Sequence, residues 1–231
     1  MGSKPRPRAV LFDLFNTLIP GGSRQERDTV SQLMAQTLGV DPDAMADLVR
    51  TTFDDRTRGR LGDLRQTVAW LAARLGGTPS EDALAAAVHL RLEMTHTLHR
   101  RTWAIPTLVE LARTGTLRGL VSDCSAETPT IWPDSPLAPH FEATSFSCVT
   151  GHRKPEPQAY LVAVEQLGVD PHDCLYVGDG GSRELTGAAA LGFTAIRFDP
   201  PAHLLGDPID QEHDWSGTII SDLADLIHLL T

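Results

Sequence analysis

Apolar positions along this chain follow two different periods, and the change between them divides it. Ala9 to Phe12 is a short unbroken apolar run ending at Asp13, which predicts a fully buried strand with an acid at its carboxyl end. Pro20, Gly21 and Gly22 then break the chain. From about residue 24 to 100 the spacing turns helical. One stripe runs through Val30, Leu33, Met34, Thr37 and Leu38 and is closed by Gly39, and a second uses Ala44, Met45, Leu48 and Val49. A third, Val68, Leu71, Ala72 and Leu75, stops before Gly76, and a fourth, Leu84, Val88 and Leu92, follows an N-cap at Ser80.

Beyond Pro106 the pattern alternates. It predicts a helix at 107–113, a strand at 117–122, a strand near 144–149 and a helix at 157–167. A strand at 175–177, a helix at 183–191, a strand at 195–198 and a closing helix from Ser221 complete the series. Strands alternating with helices imply an α/β fold, a doubly wound, parallel, Rossmann-like sheet. The expected organisation is an α/β core of residues 1–20 and 101–231, interrupted by an all-helical insertion at 21–100. In such a sheet ligands bind at the carboxyl ends of the strands, and three of those ends carry polar residues here: Asp13, Ser122 and Gly178-Asp179.

Composition narrows the function. The chain has 231 residues, 41% hydrophobic, enough for a sizeable core. Its formal charge of −10 argues against nucleic acid or an anionic membrane surface as the main partner, since both would repel it. No apolar stretch approaches the roughly 18 to 20 residues that span a bilayer, and Met1 to Arg8 is basic without a signal-type apolar run. A cytoplasmic protein is expected. Cys124, Cys148 and Cys174 lack CxxC spacing and read as buried thiols. His96 and His99 read as part of a solvated helix face, and Trp70 and Trp103 as core residues. Gly178 to Gly181 follows a strand but lacks the GxGxxG spacing of a dinucleotide site.

The segment VLFDLFNTL at 10–18 resembles the first signature of the haloacid dehalogenase superfamily, in which a strand-end Asp attacks phosphorus or carbon. GLVSDC around Ser122 resembles the second, GHRKPEPQAY around Lys154 the third, and VGDGGSRELTGA at 177–188 the fourth, in family order. The resemblance implies hydrolysis with Asp13 as nucleophile, and Ser122 and Lys154 binding the phosphoryl group of a small anionic phosphate ester. It implies Mg²⁺ on Asp13, Asp179 and the backbone carbonyl of Phe15, with Glu184, where the family usually has Asp, holding metal waters or Lys154. Asn16, Thr17, Asp123 and Arg58 are further candidate substrate contacts, Thr17 as a group that positions the nucleophile. The helical insertion resembles the family's substrate-selecting cap, hinged at Gly21-Gly22 and around 101–106. Within it, Arg56, Arg58 and Arg60 lie on an expected loop at 54–62.

The physics of this set is coherent by itself. A carboxylate is a poor nucleophile towards a phosphoryl dianion unless cations and donors neutralise the transferring oxygens. Magnesium suits a couple of carboxylates, with water and phosphate filling its other positions. One departure stands out. Phosphatases of this superfamily carry a second Asp two residues after the nucleophile as general acid, and here that position is Phe15, which transfers no proton. An aromatic residue there resembles the metal-independent 2-haloacid dehalogenases, one alternative. The other is a degenerate binder of a phosphorylated ligand or partner, without turnover.

Overall fold

A computed structural model describes residues 6–201, 204, 206 and 211–230. Residues 1–5 and 231, the ends of the expected core span and most of the basic Met1 to Arg8 segment, lie outside the described residues.

Among the described residues six parallel strands form one sheet: β1 (Ala9–Phe12), β2 (Leu117–Ser122), β3 (Ala143–Phe146), β4 (Cys174–Gly178), β5 (Thr194–Phe198) and β6 (Thr218–Ile220). Their spatial order is β3-β2-β1-β4-β5-β6. The chain therefore builds outward from β1 in one direction and then returns to lay β4 on its other side. The crevice between β1 and β4 is the switch point where ligands of such sheets bind. Register sets the two strand ends side by side, with Phe12 opposite Val177 and the Asp13 N–H donating to Val177 O at 2.9 Å.

Strand β1 is completely buried because both faces of the sheet are covered. Val10 and Phe12 point into one core shared with α6 (Ile105–Arg113) and α11 (Asp225–Leu229). Ala9 and Leu11 point into the other, where Tyr160 and Ala163 of α9 (Pro157–Leu167) and Leu185 and Ala188 of α10 (Glu184–Ala190) pack. Short helices α7 (Glu127–Ile131) and α8 (Ser147–Thr150) follow β2 and β3.

Between β1 and α6 lie α1 (Arg24–Leu38), α2 (Pro42–Thr51), α3 (Phe53–Thr57), α4 (Leu64–Arg74) and α5 (Glu81–Arg100). They enclose a separate core of Met34, Leu38, Met45, Val68, Leu71 and Leu84. Their ends are locally encoded. Ser23 with Glu26, and Asp63 with Gln66, form capping boxes, and Gly39 closes α1 in the left-handed region at φ 71°.

Several expectations shift. The strand expected near 144–149 ends at Phe146, and Ser147–Thr150 turns into α8. The expected loop at 54–62 begins with α3, the closing helix begins at Asp225 rather than Ser221, and β6 had no sequence counterpart. Trp70 is 38% exposed, so it is not a core residue, whereas Trp103 packs on the main core. His99 is 1% exposed rather than solvated, and Cys148 is only half-buried. Among the described residues no helix is long and apolar enough to cross a membrane.

Candidate active site

Asp13 leaves the end of β1 buried, and the turn after it fixes its carboxylate. The chain folds back at once, with Asn16 N–H donating to Ile19 O at 2.7 Å and Ile19 N–H to Leu14 O at 3.1 Å. Asn16 sits in the left-handed region at φ 61°, a conformation Asn tolerates. Its side-chain oxygen accepts from Gly21 N–H at 2.9 Å and Gly206 N–H at 2.8 Å, and glycine suits position 21 because a Cβ would press on that oxygen and displace it. Thr17 donates its hydroxyl to Asp13 Oδ2 at 3.2 Å, and Trp103 Nε1 donates to Thr17 O at 3.1 Å. Thr17 thus orients Asp13. Asn16 braces the turn and lines the cavity described below.

Lys154 arrives from the loop before α9. Its backbone N–H donates to Asp123 Oδ1 at 3.0 Å, so Asp123 anchors this loop while also lining the cavity. The buried Nζ bridges Asp13 Oδ1 and Glu184 Oε2, the second at 2.6 Å. Glu184 is itself fully engaged, since Tyr176 Oη donates to Oε2 at 2.8 Å and Gly180 N–H to Oε1 at 2.9 Å. Tyr160 Oη donates to the Glu184 carbonyl at 2.9 Å. Gly178 is glycine for a steric reason: a Cβ there would overlap Glu184 Oε1. Of the two roles expected for Glu184, holding Lys154 is the one its contacts fill. Tyr176 went unnoticed in the sequence, where it is one more apolar-looking position in a buried strand.

Asp179 follows β4 and accepts from Gly181 N–H at 3.0 Å. Asp13, Asp179 and Glu184 offer carboxylate oxygens that all lie within 4.8 Å of one another. Three buried carboxylates thus face one lysine. Burial, with Glu184 and Asp179 nearby, pushes the Asp13 carboxyl up, against the pull of Lys154. Burial and Glu184 likewise push Asp179 up to about 6. Burial works to lower Lys154, but the surrounding carboxylates outweigh it and hold the ammonium charged. With Glu184 committed to Lys154, Tyr176 and Gly180, the donor set left for a hard cation is Asp13 and Asp179. Two carboxylates opening on a cavity match the protein share of a magnesium site.

That cavity measures about 440 Å³ and lies between the strand ends and the helical insertion. Phe15 lines it, its half-buried ring resting on the main core. Ser122 is buried at the end of β2, its hydroxyl without a hydrogen-bond partner; it is not among the residues that line the cavity, although its neighbour Asp123 is. Arg58 does not line it. Its Nη2 pairs with Glu156 at 2.6 Å and its Nη1 donates to Gly151 O at 3.2 Å, tying the insertion to the Lys154 loop. The expectation of Arg58 as a substrate contact is therefore corrected: α3 buries Arg56, whereas Arg58, at its C-cap, is taken up by Glu156 and Gly151. Arg27, Arg50, Phe53, Arg56 and Arg91 line the cavity instead. Only Arg56 had stood in a candidate segment, because charge on a helix gives no signal of which way it faces.

The haloacid dehalogenase-like hydrolases match residues 7–192, most of the chain. The protein belongs to this family. A curated relative, the glyceraldehyde 3-phosphate phosphatase of Methanopyrus kandleri, is 26% identical over 83% of this chain and 83% of its own length. Among solved structures, the 2-haloacid dehalogenase of Pseudomonas syringae superposes with a TM-score of 0.71 at 22% identity, covering 97% of this chain and 98% of that one. The haloacid dehalogenase phosphatase of Thermococcus onnurineus gives 0.64 at 21% identity, covering 96% and 97%. These structures share the hydrolase's fold, and both chemistries of the family occur among them.

Proposed function

We propose that this hydrolase is a magnesium-dependent phosphomonoesterase with Asp13 as its nucleophile and the helical insertion as its cap. The observation that carries the reading is the surplus of buried negative charge at the switch point: Asp13, Asp179 and Glu184 around the single cation Lys154. A site for an anionic ester needs that surplus reversed. Asp13 and Asp179, with the Phe15 carbonyl, would hold magnesium, whose charge neutralises phosphoryl oxygens when it is bound.

The chain's own residues supply the rest. Thr17 and Lys154 hold the Asp13 carboxylate by different oxygens, which fixes its direction of attack. One carboxylate oxygen bonds to phosphorus as the ester P–O bond breaks, and the leaving oxygen departs with the electron pair. Ser122, whose hydroxyl lacks a partner, and Lys154 donate to the phosphoryl oxygens. Water then attacks phosphorus, releasing phosphate and restoring Asp13. Phe15 provides no proton, so the esters that suit this site leave as stable anions, as acyl and aryl phosphates do.

The aromatic Phe15 also motivates a second reading, halide displacement from a 2-haloacid without metal. Asp179 counts against it, because an added buried carboxylate hinders an anionic substrate that brings no cation. A screen of aryl and acyl phosphates and 2-haloacids, with and without magnesium, on wild type and Asp13→Asn decides between them. The expected result is metal-dependent phosphate release that vanishes in Asp13→Asn. Halide release in the presence of a chelator, with no phosphate released from any ester, overturns the reading.

A further inference from the structure

The cap side of the cavity is lined by Arg24, Arg27, Arg50, Arg56 and Arg91 against a single cap carboxylate, Asp28. Three of these cations have a carboxylate partner, Arg24 lying 3.6 Å from Asp28, and Arg27 donates to the carbonyls of Gly21 and Gly22. Arg50 pairs with Asp28 at 2.9 Å and with Asp47, and Arg91 pairs with Glu127 of α7. Arg56 is built differently. It is only 8% exposed, and its hydrogen-bond partners are neutral: Nη1 donates to Ser125 Oγ at 2.6 Å and Nη2 to Val49 O at 2.9 Å. Its Nε is buried without a hydrogen-bond partner. Glu127, the carboxylate whose charge acts on Arg56, is already bonded to Arg91, so two guanidiniums share one negative charge.

A buried guanidinium with an unused N–H and no carboxylate of its own is costly unless an anion completes it. Its other neighbouring void measures about 10 Å³, room for one water. Of these two spaces, the main cavity is the one that can bring a larger anion to Arg56. The cavity has space for more than a phosphoryl group at about 440 Å³, and Phe53 stands by Arg56 with its ring centroid 6.0 Å from the guanidinium carbon. The planar, forked donor set suits carboxylate and phosphate alike.

We propose that Arg56 is an anion receptor for the leaving group, so that the preferred substrates are phosphomonoesters carrying a second anionic group, a carboxylate or another phosphate, away from the scissile bond. The inference rests on the phosphatase reading above for its reaction but not for its binding. Arg56 also joins the cap to Ser125 on the loop after β2, so an occupied receptor stabilises the cap against the core.

The test separates the two. Calorimetric binding of phenyl phosphate, 4-carboxyphenyl phosphate and benzene-1,4-bisphosphate is measured on Asp13→Asn with magnesium present, alone and combined with Arg56→Met or Arg56→Lys. Both doubly anionic ligands are expected to bind about tenfold tighter than phenyl phosphate. Arg56→Met should bring all three within about twofold, and Arg56→Lys should keep part of the preference. Equal affinities without any change at 56, or a uniform loss in Arg56→Met, overturn the receptor; the first comparison stands even if Arg56→Met does not fold. Turnover by wild type is read in parallel. A binding preference without hydrolysis sinks the phosphatase reading and leaves the receptor, whereas hydrolysis of all three with equal kcat/KM does the reverse.

Discussion

On the sheet side of the cavity, Lys154 and Glu184 are each held by several partners at once; on the helical side, Arg56, Arg58 and Arg91 are held across a seam. Lys154 bridges two carboxylates, and Glu184 accepts from Lys154, Tyr176 and Gly180 while Gly178 clears space for it. Arg56, Arg58 and Arg91 instead reach across to Ser125, Gly151 with Glu156, and Glu127. The first arrangement fixes reacting atoms before any ligand arrives. The second can change partners when a ligand enters, as a wall that selects substrates must.

Breaking the rigid side should have the largest consequence. Lys154→Met removes the one ammonium among three buried carboxylates and should destabilise the fold by about 3 to 5 kcal/mol, with activity falling at least about 10³-fold. Denaturant unfolding with kinetics on the same sample checks both. A fully active, equally stable variant would show that the carboxylates do not depend on that charge.

The seam offers the next effect. His99, at the end of α5, bonds Ser135 Oγ through Nδ1 at 2.8 Å, and burial, with some help from His96, depresses it to about 4 from an ordinary 6.5. Between those values the unfolded chain takes up a proton that the fold refuses. Stability conferred by neutral His99 is therefore complete above about pH 6.5 and is lost as pH falls towards 4, by roughly 3 kcal/mol in all. Unfolding free energies across this window should slope less in His99→Gln than in wild type. Parallel slopes would place the acid sensitivity in other groups.

How legible each side was in the sequence follows the same division. Strand β1 and helix α9 have the limits expected from the sequence, 9–12 and 157–167, because their signals are local. Asp13, Lys154 and Asp179 fall at strand ends and in a signature loop, and the structure brings them together. Strand β6 escaped notice because three residues, two of them exposed, carry too short a pattern. The choice of Arg58 over Arg56 failed because facing depends on where α3 docks, and the partners that decide it lie about 70 to 100 positions away. Tyr176 was hidden by its strand, where an aromatic residue reads as packing until its hydroxyl meets Glu184.

Phe15 lies where the two walls meet, and it sharpens the comparison by asking whether the rigid side lacks only a proton donor. Phe15→Asp should raise hydrolysis of alkyl phosphates, which leave poorly, by about 10²-fold, and that of aryl phosphates much less. The ratio of the two rates is the readout. If both rise alike, or neither changes, the missing acid is not what limits the site.

The smallest effect is expected at Arg58, and it tests whether the helical wall has been assigned the right way round. Its pairs with Asp54 and Glu156 are partly exposed, and such pairs contribute under about 1 kcal/mol. Arg58→Ala should therefore change melting only slightly and lower kcat/KM by less than about threefold, equally for singly and doubly anionic esters. Arg56, on α3, and Arg58, at its C-cap, are two positions apart and carry the same charge, so a difference between them isolates facing from composition. Loss of anion preference in Arg58→Ala rather than Arg56→Met would mean that the insertion swings far enough to turn its outer arginine onto the substrate, and the wall seen here would be the open one.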